Sequence, residues 1–130
     1  MRARILLVED EEMTRETIEL LLTSNQYLVQ SCPTGKNILE TVADFSPNLI
    51  VLDILLGELD GRELCKELKA NPVYRNIPII VISGAPDIYN SIASSGANDI
   101  VLKPFEERTL MNRIERQLAN SRQPYIFDRN

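Results

Sequence analysis

The segment Leu49-Ile50-Val51-Leu52-Asp53-Ile54-Leu55-Leu56 has seven apolar residues and one ionisable carboxylate, Asp53. A continuous apolar run of this length has the composition of a strand covered on both faces by helices. Burying a lone carboxylate is costly enough that it neutralises or finds a partner. The economical reading ends the strand at Asp53, where the chain opens to solvent. In an open parallel sheet, ligands bind outside that carboxyl end. The ordinary alternative is a strand-end Asp that only starts a turn, so the rest of the chain must weigh between the two.

Ahead of this segment, Ile5-Leu6-Leu7-Val8 is short and continuously apolar, hence a central strand. It breaks at Glu9-Asp10-Glu11-Glu12, and a helix follows with Ile18, Leu21 and Leu22 on one face. Acidic residues also suit a helix N-terminus in their own right. The run from Tyr27 to Cys32 is interrupted by Gln30 and Ser31, the mixed polarity of an edge strand. Thr34 is positioned to cap a helix carrying Ile38, Leu39, Val42 and Phe45, which Ser46-Pro47 ends.

Beyond Asp53 comes a loop, Gly57-Glu58-Leu59, and then Asp60 and Glu63 at capping-box spacing. The helix they open turns Leu64, Cys65 and Leu68 inward and stops at Asn71-Pro72. Ile77-Pro78-Ile79-Ile80-Val81-Ile82 reads as another central strand, with Pro78 tolerated only near its start. It ends in Ser83-Gly84-Ala85-Pro86. The next helix is weak: Ile88 and Ile92 are one turn apart, Ser91, Ser94 and Ser95 are poor formers, and Gly96 closes it. Ile100-Val101-Leu102 is a short strand for the other edge. Lys103-Pro104-Phe105 follows, then a helix with Glu106-Glu107 in its first turn and Leu110, Met111, Ile114 and Leu118 inward. The periodicity lapses at Ser121, which divides a domain over 1–120 from a tail or linker over 121–130. The tail carries an apolar cluster, Tyr125-Ile126-Phe127.

Alternation of strand and helix, with continuous apolar runs in the middle strands, predicts an α/β fold. It is a doubly wound five-stranded parallel sheet with helices on both faces. A chain of 130 residues is enough for one such domain and too short for an eight-stranded barrel. The formal net charge of -5, with Lys and Arg scattered, argues against nucleic-acid binding by this domain. The absence of His excludes histidine catalysis and histidine metal ligation. Cys32 and Cys65 lack metal-type spacing and read as reduced thiols. There is no run of ~18 apolar residues and no signal-type leader, so the expectation is a cytoplasmic protein that is not in the membrane.

The polar residues that follow the strands are Glu9 and Asp10, then Asp53, Ser83 and Lys103. In a parallel sheet of order 2-1-3-4-5 they share one edge, and the first and third strands straddle the switch point where ligands sit. Each has an ordinary reading by itself: helix-start charges, a turn serine, a solvated lysine. Five independent coincidences are needed to put them all on one edge. Two like charges ~4 Å apart repel by roughly 1 kcal/mol in water and about 4 kcal/mol at an effective dielectric near 20. Lys103 offsets only one of the three carboxylates, and a divalent cation would cancel the rest. Oxygen donors without His or Cys favour a hard ion, and Mg²⁺ that keeps waters and meets a phosphate fits best. Asp53 then suits a carboxylate nucleophile toward phosphorus, with Ser83 and Lys103 on the phosphoryl oxygens.

Val8-Glu9-Asp10, Leu52-Asp53, Asp60-Gly61, Ile82-Ser83-Gly84 and Lys103-Pro104-Phe105 resemble the receiver domain of bacterial two-component response regulators, from about residue 3 to residue 120. The resemblance implies a flavodoxin-like fold in a phosphorelay component. Asp53 would accept a phosphoryl group from a phosphohistidine on a sensor histidine kinase or histidine phosphotransfer protein. Glu9, Asp10, Asp53 and the Leu55 backbone carbonyl would hold Mg²⁺, and Ser83, Gly84 and Lys103 would meet the phosphoryl group. A cis Lys103-Pro104 bond is implied as well. Phosphorylation would shift the face made by the fourth helix, fifth strand and fifth helix, which contacts a downstream protein target and is the face for a homodimer.

Three departures from the family pattern stand out. Glu9 is where Asp is commoner, and its extra methylene makes a metal contact through water. Gly57 replaces a frequent proline, which should loosen the loop. Ile100 occupies the place of an aromatic rotameric switch, so the expectation is an altered switch or an output less dependent on it. Two other readings compete. An aspartyl-nucleophile phosphohydrolase would carry a second Asp two residues beyond Asp53, where this chain has Leu55. A pseudo-receiver would bind partners without phosphorylation; the set Asp10, Asp53, Ser83 and Lys103 speaks against it and Ile100 for it. The expectation is a phosphoacceptor that assists its own phosphorylation and dephosphorylation, not an enzyme.

Overall fold

A computed structural model describes residues 2–84 and 89–128 of the chain. Five parallel strands form the sheet: β1 (Arg4–Val8), β2 (Leu28–Cys32), β3 (Leu49–Asp53), β4 (Ile79–Ser83) and β5 (Asp99–Leu102). Their spatial order is β2-β1-β3-β4-β5, the flavodoxin-like arrangement expected above. Every residue of β3 and β4 is buried, as continuous apolar runs require of strands covered on both faces. β2 is partly exposed along its length, in keeping with an edge.

The two-residue period of a strand divides the core into two layers. Leu6, Val8, Ile50, Leu52, Ile79 and Val81 face α2 (Ile38–Phe45), α3 (Gly61–Ala70) and α4 (Tyr89–Ser94). Their neighbours Ile5, Leu7, Leu49, Val51, Ile80 and Ile82 face α1 (Glu12–Ser24) and α5 (Glu107–Asp128). Ile18 and Leu22 from α1, and Leu110, Met111, Ile114 and Leu118 from α5, fill the second layer as their spacing predicts. The Arg4 guanidinium donates to the Phe45 carbonyl (Nε, 2.8 Å) and lies 4.4 Å from that ring's centroid, tying the start of β1 to the end of α2. Cys65 is buried and Cys32 half-buried, both free, and burial pushes both thiols up, away from the reactive thiolate.

Local details differ from the sequence reading in four places. Thr34 does not cap α2; its hydroxyl accepts from the Lys36 N–H at 3.2 Å, and the helix starts after Asn37 in a left-handed conformation (φ 59°). Asp60 caps α3, but through the Arg62 N–H at 2.8 Å, while Glu63 turns to Lys66 at 3.4 Å. The Arg62 guanidinium holds the Asp60 carboxyl below the usual carboxylate range. The segment after Asp53, expected as a loop over Gly57-Glu58-Leu59, has regular structure. It is a tight antiparallel hairpin, Leu55–Leu56 against Leu59–Asp60, whose first turn residue is Gly57 at φ 65°. A positive φ at that position is what a two-residue hairpin turn with glycine first requires. Lastly, α5 continues past Asn120, because a lapse in apolar periodicity marks the end of a buried stripe, not of a helix. Ala85, Pro86 and Ile88 lie outside the described residues, as do the side chains of Tyr125, Ile126 and Phe127.

The tightest backbone contact is at Gly61. A Cβ there would stand 2.4 Å from the Asp53 carbonyl oxygen and 2.8 Å from the Ile54 Cα, whereas one at Gly57 would meet nothing within 4 Å. Gly61→Ala should therefore lower unfolding stability by roughly 1–3 kcal/mol through overpacking against backbone. Gly57→Asn, which enters the left-handed region readily, should change it by less than about 0.5 kcal/mol. Urea unfolding of both variants checks this; equal losses would mean that the close approach at Gly61 is not a constraint.

Candidate functional site

The ends of β1, β3 and β4 and the start of the β5–α5 connection converge at one edge of the sheet. They form a cavity of about 580 Å³ lined by Glu9, Asp10, Asp53, Leu55, Ser83, Gly84 and Lys103, with Glu11, Thr14 and Ile54. All seven residues singled out in the sequence as acidic or phosphoryl-facing groups, the Leu55 carbonyl's residue included, thus border one space. Ile100 is not among them. It is 9% exposed and packs in the core layer under α4 with Ile92.

Asp53, 6% exposed, has a donor on each carboxylate oxygen. The Leu55 N–H reaches Oδ1 at 3.2 Å, and the Lys103 ammonium reaches Oδ2 at 2.7 Å. Lys103 also donates to Glu9 Oε1 at 3.3 Å, and the Glu11 N–H donates to Glu9 Oε2 at 3.2 Å. Burial by itself would lower the Lys103 ammonium; the bond to Asp53 and the charges of Asp53 and Glu9 outweigh it and hold Lys103 above its usual value. Lys103 is set in place by its own backbone, whose N–H donates to the Ser83 carbonyl at 2.7 Å. The Lys103-Pro104 peptide bond is cis. Ser83 is fully buried at the end of β4.

Glu9 carries the strongest electrostatic signature. Its burial, then a hydrogen bond to Asp53, push its carboxyl up to about 7; the Glu11 N–H and Lys103 pull the other way without prevailing. A raised carboxyl is the ordinary response of a buried acid with a second carboxylate beside it. Carboxylate oxygens of Glu9, Asp10 and Asp53 lie within 4.8 Å of one another, with Asp10 the exposed member. Three oxygen donors so close, with no nitrogen or sulfur ligand among them, fit a hard divalent cation.

Thr14, Glu11 and Arg15 were not marked by the sequence. Arg15 Nη1 donates to the Glu9 and Asp10 carbonyls at 3.0 and 3.4 Å and so braces the acidic loop from α1. Thr14, whose hydroxyl bonds the Glu11 carboxylate, stands one helical turn past Asp10. The only signal was that four-residue spacing, which surface helix residues share.

An open parallel sheet whose switch point bears three carboxylates and a lysine defines an α/β domain with an acidic cavity at the carboxyl edge of its sheet. The chain matches the response regulator receiver domain over residues 5–115, and it belongs to that family, a component of two-component systems. It is 35% identical over 127 residues to the response regulator ArlR of Staphylococcus saprophyticus, covering 96% of this chain and 56% of ArlR. The crystal structure of NtrX from Brucella abortus superposes with a TM-score of 0.87 at 30% identity, over 100% of this chain and 30% of NtrX. The receiver domain of the sensor histidine kinase PA1611 from Pseudomonas aeruginosa, crystallised with magnesium coordinated in its active site cleft, gives 0.83 at 27% identity. It is covered over 92% of this chain and 99% of that one. The chain spans little more than half the length of the curated relatives it matches. Among the described residues, no helix is long and apolar enough to cross a membrane.

The folded protein holds the Glu9 proton more tightly than the unfolded chain does. The corresponding stability is present in full below pH 4.5 and is lost as pH rises through about 7. The loss is on the order of 3 kcal/mol. Glu9→Gln, which cannot ionise, should remove that slope from the cation-free protein. Urea midpoints of both proteins at pH about 5 and about 8 measure it; parallel slopes would contradict the raised value.

Proposed function

We propose that the chain is a phosphoacceptor signalling module whose Asp53 takes a phosphoryl group from a phosphohistidine on a sensor histidine kinase or histidine phosphotransfer protein. The observation that carries this reading is the Asp53 carboxylate itself: buried, fixed through both oxygens, 2.7 Å from Lys103, and grouped with Glu9 and Asp10. An Asp53 oxygen attacks phosphorus, the phosphorus–nitrogen bond breaks, and its electron pair returns to the imidazole ring. The Leu55 N–H and Lys103 hold the nucleophile in place, and Lys103 and Ser83 take up phosphoryl oxygens as charge shifts onto them. Glu9, Asp10, Asp53 and the Leu55 carbonyl would hold Mg²⁺, which when bound neutralises charge on the transferring group. The magnesium in the PA1611 receiver supports that choice.

Leu55, 73% exposed, stands where a phosphohydrolase would carry its second acid. The chain therefore acts as an acceptor that takes part in its own phosphorylation and dephosphorylation and does not turn over phosphate esters. The reading covers residues 1–120, with 121–130 as tail or linker, in the cytoplasm. The output surface is α4, β5 and α5, the face for a downstream protein and for a homodimer. Ile100, an aliphatic side chain buried under α4, has no ring to swing between two positions, so the switch there differs from the aromatic type.

Intact-mass spectrometry after incubation with a small phosphodonor is the direct test. A phosphoryl adduct is expected on the wild type with Mg²⁺, absent without it and absent from Asp53→Asn. No adduct from small or protein donors, with Mg²⁺ binding intact, would replace this reading with a module that binds partners without phosphorylation.

A further inference from the structure

We propose that Asp60 and Arg62 form a strut that carries the state of the Asp53 site to α4. The inference rests on the phosphoacceptor reading for the event that moves the strut, and on geometry for its path. The path begins at the acceptor's own backbone. Gly61 lies against the Asp53 carbonyl, and its N–H donates to the Ile54 carbonyl at 2.7 Å. On one side of Gly61, Asp60 pairs across the hairpin with Leu55. On the other, Arg62 grips the Asp60 carboxylate through Nε (3.0 and 3.1 Å) and Nη2 (2.6 Å). The remaining arm, Nη1, donates to the Ser91 hydroxyl of α4 at 2.8 Å, 29 residues further along the chain. A guanidinium held by two of its nitrogens has its plane fixed. Movement of the hairpin therefore displaces Nη1 and with it the hold on Ser91.

Both ends of the strut are elements with little stability of their own. The hairpin has two residues per strand, and the described part of α4, Tyr89–Ser94, carries Ser91 and Ser94 and is followed by Gly96 at φ 96°. A two-stranded hairpin does not persist unaided, and serine is a poor helix former. Their positions are set by the contacts they make, which is the property that a coupled two-state element needs. The Arg62 and Asp60 side chains are 30% and 37% exposed, and pairs so exposed add little to global stability. Loss of the strut should thus uncouple α4 without unfolding the protein.

Hydrogen exchange of the α4 amides, with and without Mg²⁺ plus beryllium fluoride as phosphoryl analogue, tests this on wild type, Arg62→Ala and Arg62→Lys. The analogue should change wild-type α4 exchange by about fivefold or more and that of Arg62→Ala by less than about twofold. Lysine, a point charge without a fork, should not restore the response; analogue binding and the unfolding midpoint should be retained in both variants. An equal α4 response in Arg62→Ala, or analogue binding with no wild-type α4 response, overturns the strut. If the wild type binds no analogue, the phosphoacceptor reading fails, and the double-mutant cycle of Asp53→Asn with Arg62→Ala on α4 exchange decides the strut without any ligand. Non-additive effects retain it, and additive effects overturn it.

Discussion

A single ammonium, that of Lys103, stands between two buried carboxylates at the carboxyl edge of the sheet, 2.7 Å from Asp53 and 3.3 Å from Glu9. A third carboxylate, Asp10, is near enough to share a cation with both. This mismatch of charge follows from topology. β1 and β3 are hydrogen-bonded neighbours running in the same direction, so whatever follows Val8 and whatever ends β3 must emerge side by side. The conflict shows in the titrating groups: the Glu9 carboxyl is pushed up to about 7 and the Lys103 ammonium is held above its usual value. A divalent cation at the three carboxylates would favour the ionised form of Glu9.

The scaffold resists relief by movement. Asp53 ends a strand in which every residue is buried, and its carbonyl is pressed by the first residue of α3. Protein interiors packed to this degree switch between discrete arrangements and do not deform gradually. On the coupling proposed above, a change of charge at Asp53 would be passed to side chains at the edge and to the short hairpin that follows.

The sheet was legible because its signal is redundant. Four of the five strands announce themselves as apolar runs, and their order requires only the alternation of strand and helix. The edge residues were legible for the same reason, since topology brings Glu9, Asp10, Asp53, Ser83 and Lys103 together whatever their rotamers. What escaped depended on local backbone or distant contact. Thr34 was a reasonable cap by residue type, but the left-handed Asn37 sets the start of α2. Glu63 had the right spacing to Asp60, yet the Asp60 carboxylate is taken by the Arg62 N–H and guanidinium, and the Glu63 carboxylate pairs with Lys66 instead. The hairpin after Asp53 read as a loop because two-residue strands carry no periodicity and the positive φ that Gly57 lends the turn is not visible in sequence. The contact from Arg62 to Ser91 crosses from one βα unit to the next and has no sequence pattern at all.

Ile100 bears on how such a domain transmits anything. Its side chain belongs to the core layer that β4 and α4 share, so it contributes packing and fixes β5 beneath the helix. Asp99, next to it, is tied to Arg113 and Arg116 on α5; burial would raise its carboxyl, but the Arg116 bond, the Ile100 N–H and Arg113 keep it below the usual range. β5 and α5 are therefore joined by ion pairs as well as by core contacts. Of the two helices on that face, α4 has the weaker intrinsic helix signal, with serines where strong formers would stand. Under the phosphoacceptor reading proposed above, α4 is the element of that face on which interactions from the acidic edge would have most effect.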